Sequence, residues 1–135
     1  MSRYPMRPIV KPPRFRATWM PIQDVRLLDD WGRHLRRMFH GDVPYLVGSA
    51  LQRADCRDVD VRIILGDRKH AELAALVSIP RLNVMLSLWG RQVTGLPIDC
   101  QVQQMTAANT QHPGAGRRHP LGLGGWDTDP DLVTG

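Results

Sequence analysis

The segment Asp58-Val59-Asp60-Val61-Arg62-Ile63-Ile64-Leu65 constrains the fold more than any other part of the chain. Its side chains alternate between polar and apolar. A strand is the regular backbone that sends successive side chains to opposite faces. Val59, Val61, Ile63 and Leu65 then share one face, and Asp58, Asp60, Arg62 and Ile64 share the other. The first face is suited to a core. The second carries two carboxylates about 7 Å apart along the strand. Two acids facing one way are costly to keep charged without a cation, because like charges repel.

The flanking sequence supplies partners for such a strand. Val43–Val47 reads as a short buried strand, and Ile98–Gln103 as a third, with Ile98, Cys100 and Val102 inward and Asp99, Gln101 and Gln103 outward. Before them, Asp24 can cap a helix running to about Phe39, on which Leu28, Trp31, Leu35 and Met38 form one apolar stripe. Gly41 can end it in a left-handed turn. Lys69–Val77 reads as a short helix. Pro80 separates it from a helix over about Arg81–Thr94, whose apolar face would be Leu82, Met85, Leu86, Trp89 and Val93 and which Gly95 stops. Trp31 and Trp89 are expected in the core rather than as stacking platforms. The expected fold class is α/β (α+β), with a small mixed β-sheet and helices packed on one face.

Charge separates the domain from its ends. The net charge is +5 over 135 residues. Residues 1–21 carry Arg3, Arg7, Lys11, Arg14 and Arg16, five prolines and no acid, which reads as an extended basic arm. Residues 22–108 come close to neutrality and form the expected domain. Residues 109–135, rich in Gly and Pro, are expected to be a flexible tail. The arm can be drawn to phosphate backbones or acidic surfaces. Cys56 and Cys100 form neither a disulfide framework nor a zinc pattern. No run approaches membrane-spanning length, and the first residues lack the apolar core of a signal peptide. A soluble protein of the cytoplasm, without membrane association, is therefore expected.

The chemistry-bearing residues cluster around the strand of alternating acids. Gly48-Ser49 closes the preceding apolar run. Gly48 lets backbone approach a ligand closely, and N–H groups of a helical turn starting at Ser49 could hold phosphate oxygens. Asp58 and Asp60 suit Mg²⁺, a hard cation that prefers oxygen ligands. Asp99 would face the same way from the next strand. Three carboxylates can hold two metals that clamp both oxygens of an in-line phosphoryl displacement. Arg62, on the acidic face, and Arg53, in the loop before it, could neutralise triphosphate charge. Arg62 could equally serve as an ion pair with the acids. Gln101 and Gln103 share a face with Asp99 and can meet solvent or ligand there.

An apolar strand, Gly48-Ser49, a gap of about ten residues, Asp58-x-Asp60 on a strand and a later acid at Asp99 together resemble the polymerase-β-type nucleotidyltransferase superfamily. The run Leu88–Asp99 with Arg57–Arg62 is also similar to small stand-alone nucleotidyltransferase-like proteins of phages and high-GC bacteria. The resemblance implies that Gly48 and Ser49 hold the triphosphate of an incoming nucleotide. It implies that Asp58 and Asp60 bind Mg²⁺ (or Mn²⁺), and that Asp99 binds the catalytic metal and helps to deprotonate an acceptor hydroxyl. The implied activity moves a nucleoside monophosphate from a nucleoside triphosphate to an acceptor, with RNA or protein favoured, and releases pyrophosphate. Many minimal members read Gly-Ser-Arg-Ala-Arg-Gly where this chain has Gly48-Ser49-Ala50-Leu51-Gln52-Arg53. The alternative is a catalytically inactive module of phage type that binds nucleotide or a host protein.

Overall fold

The computed structural model describes residues 20–48, 58–111 and 118–123. The chain forms helix α1 (Ile22–Met38), strands β1 (Pro44–Val47) and β2 (Val59–Leu65), helices α2 (Asp67–Leu76) and α3 (Ile79–Thr94), strand β3 (Ile98–Gln104), helix α4 (Met105–Gln111) and strand β4 (His119–Pro120). The strands make one sheet in the order β3-β2-β1-β4. β2 runs parallel to β3 and antiparallel to β1, so the sheet is mixed, as the sequence predicts. Among the described residues, no single helix is long and apolar enough to cross a membrane.

Alternation in β2 and β3 builds the core. Val59, Val61, Ile63, Ile98, Cys100 and Val102 are all buried and join Val25, Leu28, Trp31 and Leu35 of α1 and Leu86 of α3 in one cluster. Ile64 and Ala108 are buried outside it, where α4 lies against β2 and β3. Burial pushes the Cys100 thiol up to about 12, so it is a packing group and not a nucleophile. Trp31 and Trp89 meet edge to face, 5.9 Å between ring centroids. The close fit there depends on Gly90, where an added Cβ would come within 2.7 Å of two Trp31 ring carbons.

Helix ends depart in detail from the sequence reading. α1 is entered at Pro21, and Asp24 sits in its first turn instead of capping it. The turn after α1 puts His40 at φ 56° before Gly41 at φ 96°, and the Gly41 N–H bonds back to the Arg36 carbonyl at 2.7 Å. The left-handed position thus begins one residue earlier than Gly41. α3 starts at Ile79 with Pro80 inside its first turn, where a missing N–H has no cost. Met38, Met85 and Val93, expected on apolar faces, are turned outward. Phe39, Val25 and Gly90 occupy the buried positions instead.

The larger departure lies in residues 109–135. The first part continues as α4, whose Thr106 N–H donates to the Asp67 carboxylate at 3.0 Å. Further on, His119 and Pro120 pair with Leu46 and Tyr45 of β1 as an edge strand. Leu121 is fully buried, and its N–H bonds to the Pro44 carbonyl at 2.9 Å. The next N–H, of Gly122, donates to buried Asp29 of α1 at 2.6 Å. Gly32 makes this approach possible, since a Cβ there would lie 2.7 Å from that of Leu121. A two-residue strand has no periodicity for sequence reasoning to detect, so Leu121 reads as tail although it completes the core. Leu121→Ala is expected to lower stability by about 2–5 kcal/mol, measured by urea unfolding. A change below about 0.5 kcal/mol would show that this segment is not part of the cooperative unit.

Candidate active site

The acids expected to converge do so as a pair. Val59 lies opposite Ile98 in the parallel β2–β3 ladder, which makes Asp60 the register neighbour of Asp99. Neighbouring strands are about 4.8 Å apart, so the two carboxylates occupy one small area of the outer face. Their side chains are 24% and 38% exposed. Asp58 is exposed and immediately precedes β2. Its charge acts on Asp60. Among the described residues, no group of three or more His, Cys, Asp or Glu side chains is placed to hold a metal ion.

Arg62 stands two residues along from Asp60 on the same face. One guanidinium nitrogen lies 3.5 Å from an Asp99 carboxylate oxygen and 3.9 Å from an Asp60 oxygen. The other donates to the backbone carbonyls of Asp99 at 2.9 Å and Val61 at 3.0 Å. The Arg62 side chain is only 15% exposed, so this cation is built into the face. Gln101, the register partner of Arg62, has its amide nitrogen 3.5 Å from both Asp99 carboxylate oxygens.

Gly48 brings backbone against the acids. It follows β1, whose Val47 is the register partner of Asp60, and it has φ +77°. The space that a Cβ would take at Gly48 is filled by the Asp60 carboxylate. Only glycine suits that conformation and that contact together. Ser49 and Arg53, the other residues expected to hold phosphate, lie outside the described residues, as does Cys56.

The electrostatics record the crowding. Burial holds the Asp60 carboxyl above its ordinary pKa; Arg62 pulls it down, while the charges of Asp99 and Asp58 and a hydrogen bond with Asp99 push it up. Ionised Asp60 is thus destabilised in the folded chain.

Comparison with family models, curated proteins and solved structures gave no match.

Sequence reasoning passed over one set of residues at this site. Asn83, Ser87 and Arg91 of α3 recur at every fourth position, and all line a cavity of about 470 Å³ that Asp99 and Gln101 also border. The helix reads as amphipathic through its leucines and Trp89, and the polar stripe beside them looks like a solvated face. A four-residue repeat of side chains able to hydrogen-bond, facing an edge strand, was the available signal.

The raised Asp60 pKa fixes a sign. The folded state holds the Asp60 proton more tightly than the unfolded chain does, so its stabilising contribution is complete below the ordinary value of 3.8. It is lost as pH rises through the raised folded-state value. Asp60→Asn is therefore expected to raise the melting temperature at pH 7, with the gain shrinking as pH falls towards 3.8. A variant less stable than wild type at pH 7 would mean that the Arg62 contact outweighs burial and repulsion.

Proposed function

We propose that the chain is a metal-dependent nucleotidyltransferase that moves a nucleoside monophosphate from a nucleoside triphosphate to an acceptor hydroxyl, releasing pyrophosphate. The observation that carries the reading is the Asp60–Asp99 register pair with the Gly48 backbone set against it. The donor chemistry fits a divalent cation. Two carboxylates share one area, the charge of a third acts on Asp60, and burial together with these charges holds the Asp60 carboxyl above its ordinary pKa. Asp60 and Asp99 would hold Mg²⁺ or Mn²⁺, with Asp58 as the adjoining acid. When bound, the metal offsets charge that develops on the transferring phosphoryl group.

The chain's own residues take the remaining roles. The N–H groups at Gly48 and Ser49 would receive the triphosphate, assisted by Arg53 and by Arg62. Asp99 would accept the proton of the attacking hydroxyl, and Gln101 beside it would orient that carboxylate. The supply of nucleoside triphosphate makes the cytoplasm the natural site of action. Protein or RNA would provide the acceptor.

Arg62 favours a second reading. An arginine already seated between the two acids supplies part of the charge that a metal would supply. A module that binds a nucleotide or a host protein without transferring anything would have that arrangement.

The two readings separate on incubation of the chain with each α-labelled triphosphate, Mg²⁺ or Mn²⁺, and cell RNA or protein. Transfer predicts label on one of these, reduced about 100-fold or more in Asp99→Asn. Nucleotide binding with no label under any of these conditions would establish the inactive module. Label undiminished in Asp99→Asn would remove Asp99 from the mechanism.

A further inference from the structure

The C-terminal half of α1 carries arginines that the acid face does not use. Arg33, Arg36 and Arg37 line a cavity of about 340 Å³ together with Gly41, in the turn after α1, and Gly122, just beyond β4. Spacings of three and four put Arg33 beside Arg36 and Arg37 on the helix surface. The cavity stands apart from the acids. The Leu121 N–H ties this part of the chain to Pro44, at the start of β1, whereas Val47 and Gly48, at the other end, meet Asp60. Three steps of strand, about 10 Å, separate the two ends.

The wall at Gly122 is fixed on three sides. Its N–H donates to Asp29 at 2.6 Å, and its carbonyl accepts from the Arg36 Nη1 at 3.3 Å. It has φ +81°, and a Cβ there would come within 2.9 Å of the Gly32 carbonyl and the Arg33 nitrogen. Arg36 is half-buried, and its Nε is buried with no acceptor among the described residues. A buried N–H left in that state is costly. The anchored guanidinium thus keeps donor capacity that the described chain does not fill.

Helix capping and ion pairing do not account for all three cations. A cation near a helix C-terminus can serve its last carbonyls. Here the Phe39, His40 and Gly41 N–H groups bond to the carbonyls of Leu35, Arg37 and Arg36, at 2.9, 3.3 and 2.7 Å. Arg33 has acids beside it, Asp29 at 3.6 Å and Asp30 at 3.4 Å. Asp42, next to Gly41, bonds to Lys69 at 2.6 Å. Among the described residues, no carboxylate pairs with Arg36 or Arg37.

We propose that this cavity binds a phosphate dianion, free or at the end of a phosphomonoester. The planar guanidinium fork matches phosphate oxygens in pairs. Arg36 supplies an anchored fork and exposed Arg37 a second, with Arg33 adding charge at the same cavity. A phosphomonoester carries about −1.5 to −2 at pH 7, which two guanidinium groups match. A phosphodiester or a carboxylate carries half of that, and a diester must also continue past the Gly122 wall in both directions. The site needs no metal and is independent of the nucleotidyltransferase reading.

The test is a ¹⁵N NMR titration of the full chain, with EDTA present so that no divalent metal carries phosphate to the acid face. The probes are inorganic phosphate, adenosine 5′-monophosphate, adenosine, acetate, and an oligothymidylate with hydroxyl groups at both ends. The expected result is saturable movement of the Gly41 and Gly122 amide signals with phosphate or the monophosphate, and none with adenosine or acetate. Earlier saturation by the monophosphate makes the ligand a phosphomonoester; earlier saturation by phosphate makes it the free ion. Arg37→Gln should weaken binding at least about tenfold, equivalent to 1.4 kcal/mol. Arg68→Gln, at an exposed position on α2 that does not line the cavity, should leave it unchanged. The Asp60→Asn, Asp99→Asn double variant should bind as wild type does. Shifts that do not saturate, or binding unchanged in Arg37→Gln, overturn the proposal. So do an equal response to acetate, loss of binding in the double variant, and tighter binding of the oligothymidylate, which would make this face a track for nucleic acid.

Discussion

The parallel register of β2 on β3 is the constraint on which the rest depends. It sets Val59 opposite Ile98 and Val61 opposite Cys100 on the buried face, and by the same step it sets Asp60 opposite Asp99 on the outer face. A slip of one residue would turn the apolar set to solvent and the acids to the core. The register is thus held by packing against α1 and α3, on the side of the sheet away from the acids. β1 adds the third constraint, since its pairing of Val47 with Asp60 delivers Gly48 to the carboxylate. Ionised Asp60 costs the fold stability, and the core on the opposite face supplies the rigidity that keeps the acid pair in place.

Charge on the outer face is arranged around Arg62. Among the described residues, Asp60 and Asp99 share the cation Arg62, whose guanidinium bridges the strands by bonding to both an Asp99 carboxylate oxygen and the Asp99 carbonyl. Arg62 thereby fastens β2 to β3 as well as offsetting the acids. Asp60 holds its proton more tightly than an ordinary aspartate, first because it is partly buried and then because Asp99 and Asp58 stand near it.

Much of this was legible in the chain because strands with one buried face announce themselves. Strict alternation in 58–65 and 98–103 gave the two strands, their inward residues and the shared face of Asp60, Arg62 and Asp99. Gly48 was legible as a place for close approach, although the group that approaches it is Asp60 within the same chain. What was hidden had no period. β4 is two residues long, and Leu121 enters the core through a contact with Gly32 far away in sequence. The Asn83, Ser87 and Arg91 stripe was visible as spacing but not as function, since its purpose appears only once β3 is known to be an edge. The acids were expected as a trio, and the described structure brings two of them together with the third acting through its charge.

The central claim is that Asp60 and Asp99 together form a divalent cation site. Electron paramagnetic resonance of Mn²⁺ measures that directly, by titrating the ion into the chain with a non-hydrolysable α,β-methylene triphosphate present. Comparison is with the Asp60→Asn, Asp99→Asn double variant and with the triphosphate alone. The account predicts Mn²⁺ bound to the wild-type chain beyond what the free triphosphate holds, and loss of that excess in the variant. Equal Mn²⁺ binding by both proteins, or no excess over the triphosphate alone, would contradict it.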